Sequence, residues 1–453
     1  MADVTPTHDD ALLASSSELI GGPAGVNRRA RPQWWIPLRV LIVLTALGYS
    51  FGIWIGSSCR SSNWISPERY EHLCYTDIHP FYTLKGMVDS TVPYVQLSTE
   101  HQAVDAPVLV GMFMEISSLL THWLSALRPQ VDAAALFFDV NIVLLFIPLL
   151  IAVIATALAA RNRPWDAAMV ALAPIVILAS RINWDLLAVA LVALVMLQLS
   201  RNRVVAAGIL LGAAMSAAHY PFVILIAFAL LALRTKRWQD TGRLALAAVG
   251  TCLVINVPFM VMNYEGWSVI HRRLFDALPD LGSMWFAMQQ WGGPELSAGQ
   301  VNLAALLLFL AALAGIAALV LQAPMPPRAA SVIFLVVAAY VLLAKGFAPQ
   351  FGLWLIPLAV LARPRWRDFL IWQAAEVVYF VAVWWFLAGY QLEGAKGLTA
   401  EWYAFATFVH IAGTAFFAIM VIRDILKPED DPVRATELRA TSPYPAPRQS
   451  AMW

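Results

Sequence analysis

The chain has 453 residues, of which 60% are hydrophobic and 13% charged, with a formal net charge of +1. A soluble domain carries about 25% charged residues, so this composition excludes an ordinary soluble enzyme. The near-neutral balance also argues against a protein that binds nucleic acid by bulk charge. Repeated long apolar runs point instead to an all-α integral membrane protein that crosses the bilayer many times.

Residues 1–33 are polar and contain Arg28, Arg29 and Arg31. They read as a disordered cytoplasmic tail and not as a cleavable signal peptide. The membrane domain is expected over 34–428. Apolar segments near 34–56, 134–160, 166–180, 184–200, 203–218, 220–233, 243–263, 299–322, 330–344, 350–362, 369–391 and 402–424 give about twelve transmembrane helices. With the N-terminus inside, this count places Arg161/Arg163, Arg201/Arg203, Arg234/Lys236/Arg237, Arg328, Arg363/Arg365/Arg367 and Arg423/Lys427 on one face. That face is then cytoplasmic, since inward loops collect arginine and lysine. Residues 429–453 read as a second disordered cytoplasmic tail.

One apolar segment is left over. Counting 105–127 as a span would invert every later loop and move the arginine clusters outside. It carries Asp105, Glu115 and His122 and begins at a proline, Pro107. It is therefore read as a re-entrant or juxtamembrane helix within a long first outer loop, 57–133. A second long outer loop covers 264–298.

Polar side chains collect on that outer face. The stretch Cys74-Tyr-Thr-Asp-Ile-His-Pro-Phe-Tyr-Thr-Leu-Lys85 centres on Asp77, flanked by Tyr75, His79 and Tyr82. A carboxylate among aromatic rings at a membrane surface has its pKa raised by desolvation, which suits a general base. Asp105 is a second catalytic candidate. Lys345, Arg272, Arg273, His219 and Gln350 are candidates to hold a phosphate. Arg181, Asn183, Asp185, Trp267 and Trp285, with Tyr75, His79 and Tyr82, are candidates to line a substrate pocket. The competing reading is an interfacial aromatic belt with surface ion pairs and a lysine at position 345 that caps a helix end.

Cys59 and Cys74 share the first loop; they either pair, if the loop faces an oxidising compartment, or remain two thiols. The chain contains no glycine-rich phosphate loop, no dinucleotide fingerprint, no HExxH and no paired CxxC. No cofactor is required by any motif, although a divalent metal remains open, and no metal-ligand set is assigned.

Several segments, in order, resemble a known family. Tyr75-Thr-Asp-Ile78 resembles the catalytic-loop motif of GT-C membrane glycosyltransferases. Val104-Asp-Ala-Pro-Val-Leu-Val-Gly111 is similar to a Glu-Tyr-Pro-x-Leu-x-Gly element of actinobacterial relatives, with Asp105 in place of the glutamate and Ala106 of the tyrosine. Asn183-Trp-Asp-Leu-Leu-Ala-Val-Ala-Leu191 also fits, as do Gly266-Trp267 with Arg273 and Trp285. Lys345-Gly-Phe-Ala-Pro-Gln-Phe-Gly-Leu-Trp-Leu355 is similar to the Lys-x-Tyr-Ser-Pro-Gln-Tyr-x-Leu-Trp-Leu element of glycosyltransferase family 87. Where that family often has lysine before Tyr-Pro, this chain has His219 before Tyr220-Pro221.

The resemblance covers about 34–428. It implies a GT-C-like fold and inverting sugar transfer, with mannose first among the sugars, from a polyprenyl-phosphate donor to a glycolipid or polysaccharide hydroxyl. It places the site on the outer face of the plasma (inner) membrane, in cell-envelope glycan synthesis. The alternative from another class is a transporter or flippase for a lipid-linked sugar. It would need matching halves with charges at mid-depth, and Glu376 is the one carboxylate that suits it.

Overall fold

A computed structural model describes residues 9–21, 36–391 and 397–435. No strand occurs among them. Helices of ten or more residues are numbered α1 to α14. They are α1 (Ala11–Gly21), α2 (Pro37–Ile55), α3 (Val108–Leu127), α4 (Ala133–Ala159), α5 (Leu186–Ser200), α6 (Val204–Met215) and α7 (Pro221–Thr235), followed by α8 (Trp238–Met262), α9 (Tyr264–Asp276), α10 (Ala298–Gln322), α11 (Ala329–Leu343), α12 (Gly352–Ala362), α13 (Trp366–Gln391) and α14 (Ala400–Leu426).

Seven of the described helices, α2, α3, α4, α8, α10, α13 and α14, are long and apolar enough to cross a membrane. Helices α5, α6, α7, α11 and α12 are apolar but shorter. At about 1.5 Å per residue, the fifteen residues of α5 or α11 reach only about 22 Å. They are extensively buried against other helices, so their ends need not reach the lipid headgroups. The expected span at 166–180 is broken into a 3-10 turn at Pro164–Ala167 and helices Ala168–Ala171 and Pro174–Ala179. Pro174 has no N–H to donate and opens a helix at its first turn instead of continuing one.

Cross-links between turns sort the molecule into two levels. The arginine-bearing turns are tied to each other. Arg161 donates to the Ser200 carbonyl, and Arg234 to that of Ala323 at 3.1 Å. Arg328 donates to the Leu361 carbonyl at 2.7 Å and pairs with Asp431 at 2.7 Å. Arg363 joins Asp368 at 2.7 Å and also Asp424. Helix α1 docks at this level: Asp9 pairs with Arg163 at 2.5 Å, and Asp10 accepts from the Trp366 amide at 3.0 Å. Within the two tails expected to be disordered, 9–21 and 429–435 are thus described; 1–8, 22–35 and 436–453 lie outside the described residues.

At the other level, the Asp77 amide donates to the Ile182 carbonyl at 2.8 Å, and the Leu109 amide to Ser216 at 2.9 Å. Asn263 Nδ2 donates to the Val95 carbonyl at 3.1 Å, and the Asp280 amide to Lys345 at 2.7 Å. Helix α3 touches residues of this second level and of the first loop at three points. Its first turn meets Ser216, and its middle meets the first loop through Ser118 Oγ to the Met87 carbonyl at 2.6 Å. Near its end, His122 meets Ser90 Oγ at 2.9 Å. Five residues beyond α3, Asp132 lies 3.9 Å from His79 of the same loop.

Candidate functional site

The first loop is anchored before it reaches Asp77. Cys59 and Cys74 form a disulfide with Cα atoms 5.9 Å apart. Thr76 Oγ1 donates to the Arg181 carbonyl at 2.9 Å, beside the Asp77–Ile182 backbone bond. Arg181 itself is buried against α2, where glycines make room for it. A Cβ on Gly56 would lie 2.7 Å from Arg181 Nε, and one on Gly52 would lie 2.3 Å from the Ile177 carbonyl. Burial pushes the Arg181 guanidinium down to about 10. A short helix, Ile78–Leu84, then starts with Asp77 in the N-cap position. Pro80 falls in its first turn, where a missing N–H costs nothing.

Asp77 does not spend its carboxylate on capping that helix. Its Oδ1 accepts from the Tyr75 hydroxyl at 2.7 Å. Tyr75 is stacked against Trp384 of α13 at 4.6 Å and against Tyr70 at 5.7 Å. The Arg69 guanidinium lies over the Tyr70 and Tyr75 rings, at 4.7 and 5.7 Å. Burial pushes the Asp77 carboxyl up to about 6; the Tyr75 bond and the charges of Arg273, Lys85 and Arg69 oppose part of that rise. No ion pair closes on Asp77 among the described residues. It is a half-buried carboxylate with cations within electrostatic reach but not in contact, an arrangement that suits a proton acceptor.

Asp105 has a different environment. Lys85 Nζ pairs with its Oδ1 at 2.7 Å, and Arg273 of α9 pairs with its Oδ2. Lys85 and Asp105 are buried, whereas the Arg273 side chain is 67% exposed. Lys85 also donates to the Ala103 carbonyl at 3.1 Å. Both oxygens of Asp105 are therefore engaged by cations.

Asp185 is the other carboxylate near Asp77. It precedes α5, and its amide donates to Asn183 Oδ1 at 3.0 Å. Burial pushes it up to about 7, opposed by the Asn183 and Trp354 side chains, which favour the ionised form, with the Asp77 charge adding to the rise.

The expected phosphate set is only partly gathered. Arg273 reaches the Asp77 neighbourhood, as its influence on that carboxyl shows. Lys345 donates to the carbonyls of Phe275 and Ala277, at 2.9 and 2.8 Å, at the C-terminal end of α9. This is the helix-capping arrangement, and it orders the Lys345 turn against the second loop. Arg272 donates to the Glu265 carbonyl at 3.1 Å. His219 is enclosed edge-to-face with His271, ring centroids 5.6 Å apart, and burial lowers it to about 4. Gln350 is buried, with Oε1 lacking a partner among the described residues.

Among the expected pocket residues, Tyr75 touches Asp77 directly. His79 turns away, stacked on Trp64 at 4.5 Å and close to Asp132. Tyr82 packs on Phe137 at 5.0 Å. Trp267 donates to Asn256 Oδ1 at 3.1 Å, and Trp285 to the Leu343 carbonyl at 3.2 Å. Sequence reasoning passed over Arg69, Lys85 as a partner of Asp105, and Trp384. Only Lys85 carried a signal, its place at the end of the Cys74–Lys85 stretch. No group of three or more His, Cys, Asp or Glu side chains converges among the described residues.

No protein-family model matches the chain, and no curated protein matches it. Among solved structures, the chain is similar to ArnT from Cupriavidus metallidurans bound to undecaprenyl phosphate, at 14% identity and a TM-score of 0.37. The match covers 86% of this chain and 76% of that one.

Proposed function

We propose that the protein is a GT-C-type membrane glycosyltransferase that moves a sugar, mannose in the first instance, from a polyprenyl-phosphate donor to a hydroxyl of a glycolipid or polysaccharide. The observation that carries this reading is Asp77: half-buried, held by Tyr75, raised to about 6 and flanked by cations that do not pair with it. In the reaction the acceptor hydroxyl gives its proton to Asp77 as its oxygen bonds to the anomeric carbon. The bond from that carbon to the phosphate oxygen breaks, and its electron pair leaves with the polyprenyl phosphate. A phosphate monoester has a second pKa of about 6, so no general acid is needed. Arg273, exposed on one side and paired with Asp105 on the other, meets the departing charge. Asp105 orients Lys85 and Arg273, because its own oxygens are engaged. Lys345 secures the second loop that presents Arg273.

The site belongs to the extracytoplasmic face of the inner membrane. Support comes from the arginine-bearing turns, which meet one another at the opposite level and suit a cytoplasmic face with both termini. Helix α3 lies along the outer surface as a juxtamembrane element, supported by the loop contacts at its start, middle and end. About twelve crossings then remain.

The test is Asp77→Asn in full-length protein reconstituted with polyprenyl-phosphate [14C]mannose and a crude acceptor lipid extract. Transfer should fall by at least about 100-fold, with yield and donor binding retained. Full activity would remove the mechanism. Movement of intact donor across the bilayer without loss of its sugar would instead support the flippase alternative.

A further inference from the structure

Three polar side chains near Asp77 each hold an enclosed atom without a hydrogen-bonding partner among the described residues. Asp185 Oδ2, the Tyr220 hydroxyl and Trp354 Nε1 are each enclosed and unbonded among the described residues. They come from three separate places: the turn before α5, the turn before α7, and α12. Proximity is established on each side. Tyr220 stacks on Trp354 at 4.6 Å with 17° between planes. The Asp185 charge adds to the burial that raises Tyr220. Trp354 lies close enough to the Asp185 carboxyl to favour its ionised form, although no hydrogen bond closes between them by distance and angle.

Buried polar atoms are rarely left unpaired, because desolvation is then uncompensated. Three in one cluster point to a bound partner. The chemistry of the set says which kind. It offers an indole N–H that only donates, a phenol that donates or accepts, and a carboxyl oxygen that accepts when ionised and can donate when protonated. Hydroxyl groups, which both donate and accept, match all three. The ring faces of Trp354 are already taken, by Tyr220 on one side and by Phe351 at 3.9 Å. Only its N–H edge, on the side of the Asp185 carboxyl, remains uncovered by a ring, so the set recognises a hydroxyl pattern and does not serve as a stacking platform. A uronate carboxylate would face both Asp185 and Asp77, whereas an uncharged sugar meets no such repulsion.

We propose that Asp185, Tyr220 and Trp354 form a specificity set that reads the hydroxyl pattern of an uncharged hexose on the lipid-linked donor; this rests on the transferase reading above. A site built to bond a hydroxyl rejects the analogue that lacks or misplaces it, because its own polar atoms stay unpaired.

The experiment compares kcat/KM for polyprenyl-phosphate mannose and its glucose epimer, using full-length native protein, Tyr220→Phe, Trp354→Phe and Asp185→Asn in proteoliposomes. Polyprenyl-phosphate glucuronate is the charged control. The native protein should prefer one epimer and refuse the uronate, and each variant should narrow the epimer ratio by about tenfold. Thermal stabilisation by the preferred donor, beyond that by polyprenyl phosphate alone, gives a second reading that needs no turnover; it should be lost in the variants. Variants that lose stability or rate but keep both the native epimer ratio and that increment would reduce the cluster to packing and overturn the proposal. If the native protein transfers sugar from no donor, the transferase reading fails first and takes this one with it.

Discussion

The Tyr75 hydroxyl donates to Asp77 Oδ1 across 2.7 Å, while Trp384 and Tyr70 stack against the ring that carries it. Tyr75 thus couples a helix of the bundle to the ionisation of a loop carboxylate. A phenol bound to the ionised form lowers the carboxyl pKa, and burial raises it; here burial wins.

The proposed transfer requires Asp77 in its ionised form, so kcat/KM should climb with pH through about 6 and then level off. In Tyr75→Phe the opposing hydrogen bond is gone. The midpoint should move to higher pH, with the plateau reached later. A pH profile of transfer in proteoliposomes for both proteins measures this, and an unmoved midpoint would detach Tyr75 from the base.

Lys85 and Asp105 form a buried pair, so removing Asp105 leaves the Lys85 ammonium without its counter-charge. Asp105→Ala should cost about 3 kcal/mol or more, read as a lower denaturation midpoint in detergent. Lys85→Ala/Asp105→Ala together should cost less than the sum of the single changes, with a coupling of roughly 0.5–3 kcal/mol. Strict additivity would mean the pair does not form.

The Cys59–Cys74 disulfide closes a loop with a sequence separation of 15. Its loss should cost about 3 kcal/mol, since a closure of this size restricts the unfolded chain by that order. Cys59→Ser/Cys74→Ser should therefore melt earlier, and reductant should shift the native protein but not the variant.

Glu376 sits fully enclosed between α13 and α14. One of its oxygens receives Trp372 Nε1 at 2.7 Å, Thr414 Oγ1 at 3.1 Å and His410 Nδ1 at 2.9 Å. Glu376→Ala strands those groups and should destabilise the protein by about 3 kcal/mol or more. Glu376→Gln keeps an oxygen acceptor and should cost clearly less. Thermal stability of the two variants, compared in one detergent, checks the order.

Much of this architecture is legible in the residues. Hydropathy marks the long helices, and the arginines mark the turns that the structure ties together. Asp77 stands out by its aromatic neighbours. The ion partners are not legible, because contact depends on how distant turns meet. Nothing in the sequence tells that Asp105 takes Lys85 from twenty residues earlier and Arg273 from a separate loop. Nor does it tell that Lys345 points its ammonium at two carbonyls and not at a void. Trp384, Tyr220 and Trp354 look like any aromatic residue in or beside an apolar helix until their neighbours are known.

Gly52 of α2 and Gly56, its C-cap, make the end of that helix intolerant of change. Gly56 leaves just enough clearance for Arg181, whose carbonyl takes the Thr76 hydroxyl one residue before Asp77. An alanine there would be a conservative swap by any composition score. Yet its Cβ would meet the buried Arg181 guanidinium, so one added methyl group would press on the residue whose carbonyl anchors the Asp77 loop.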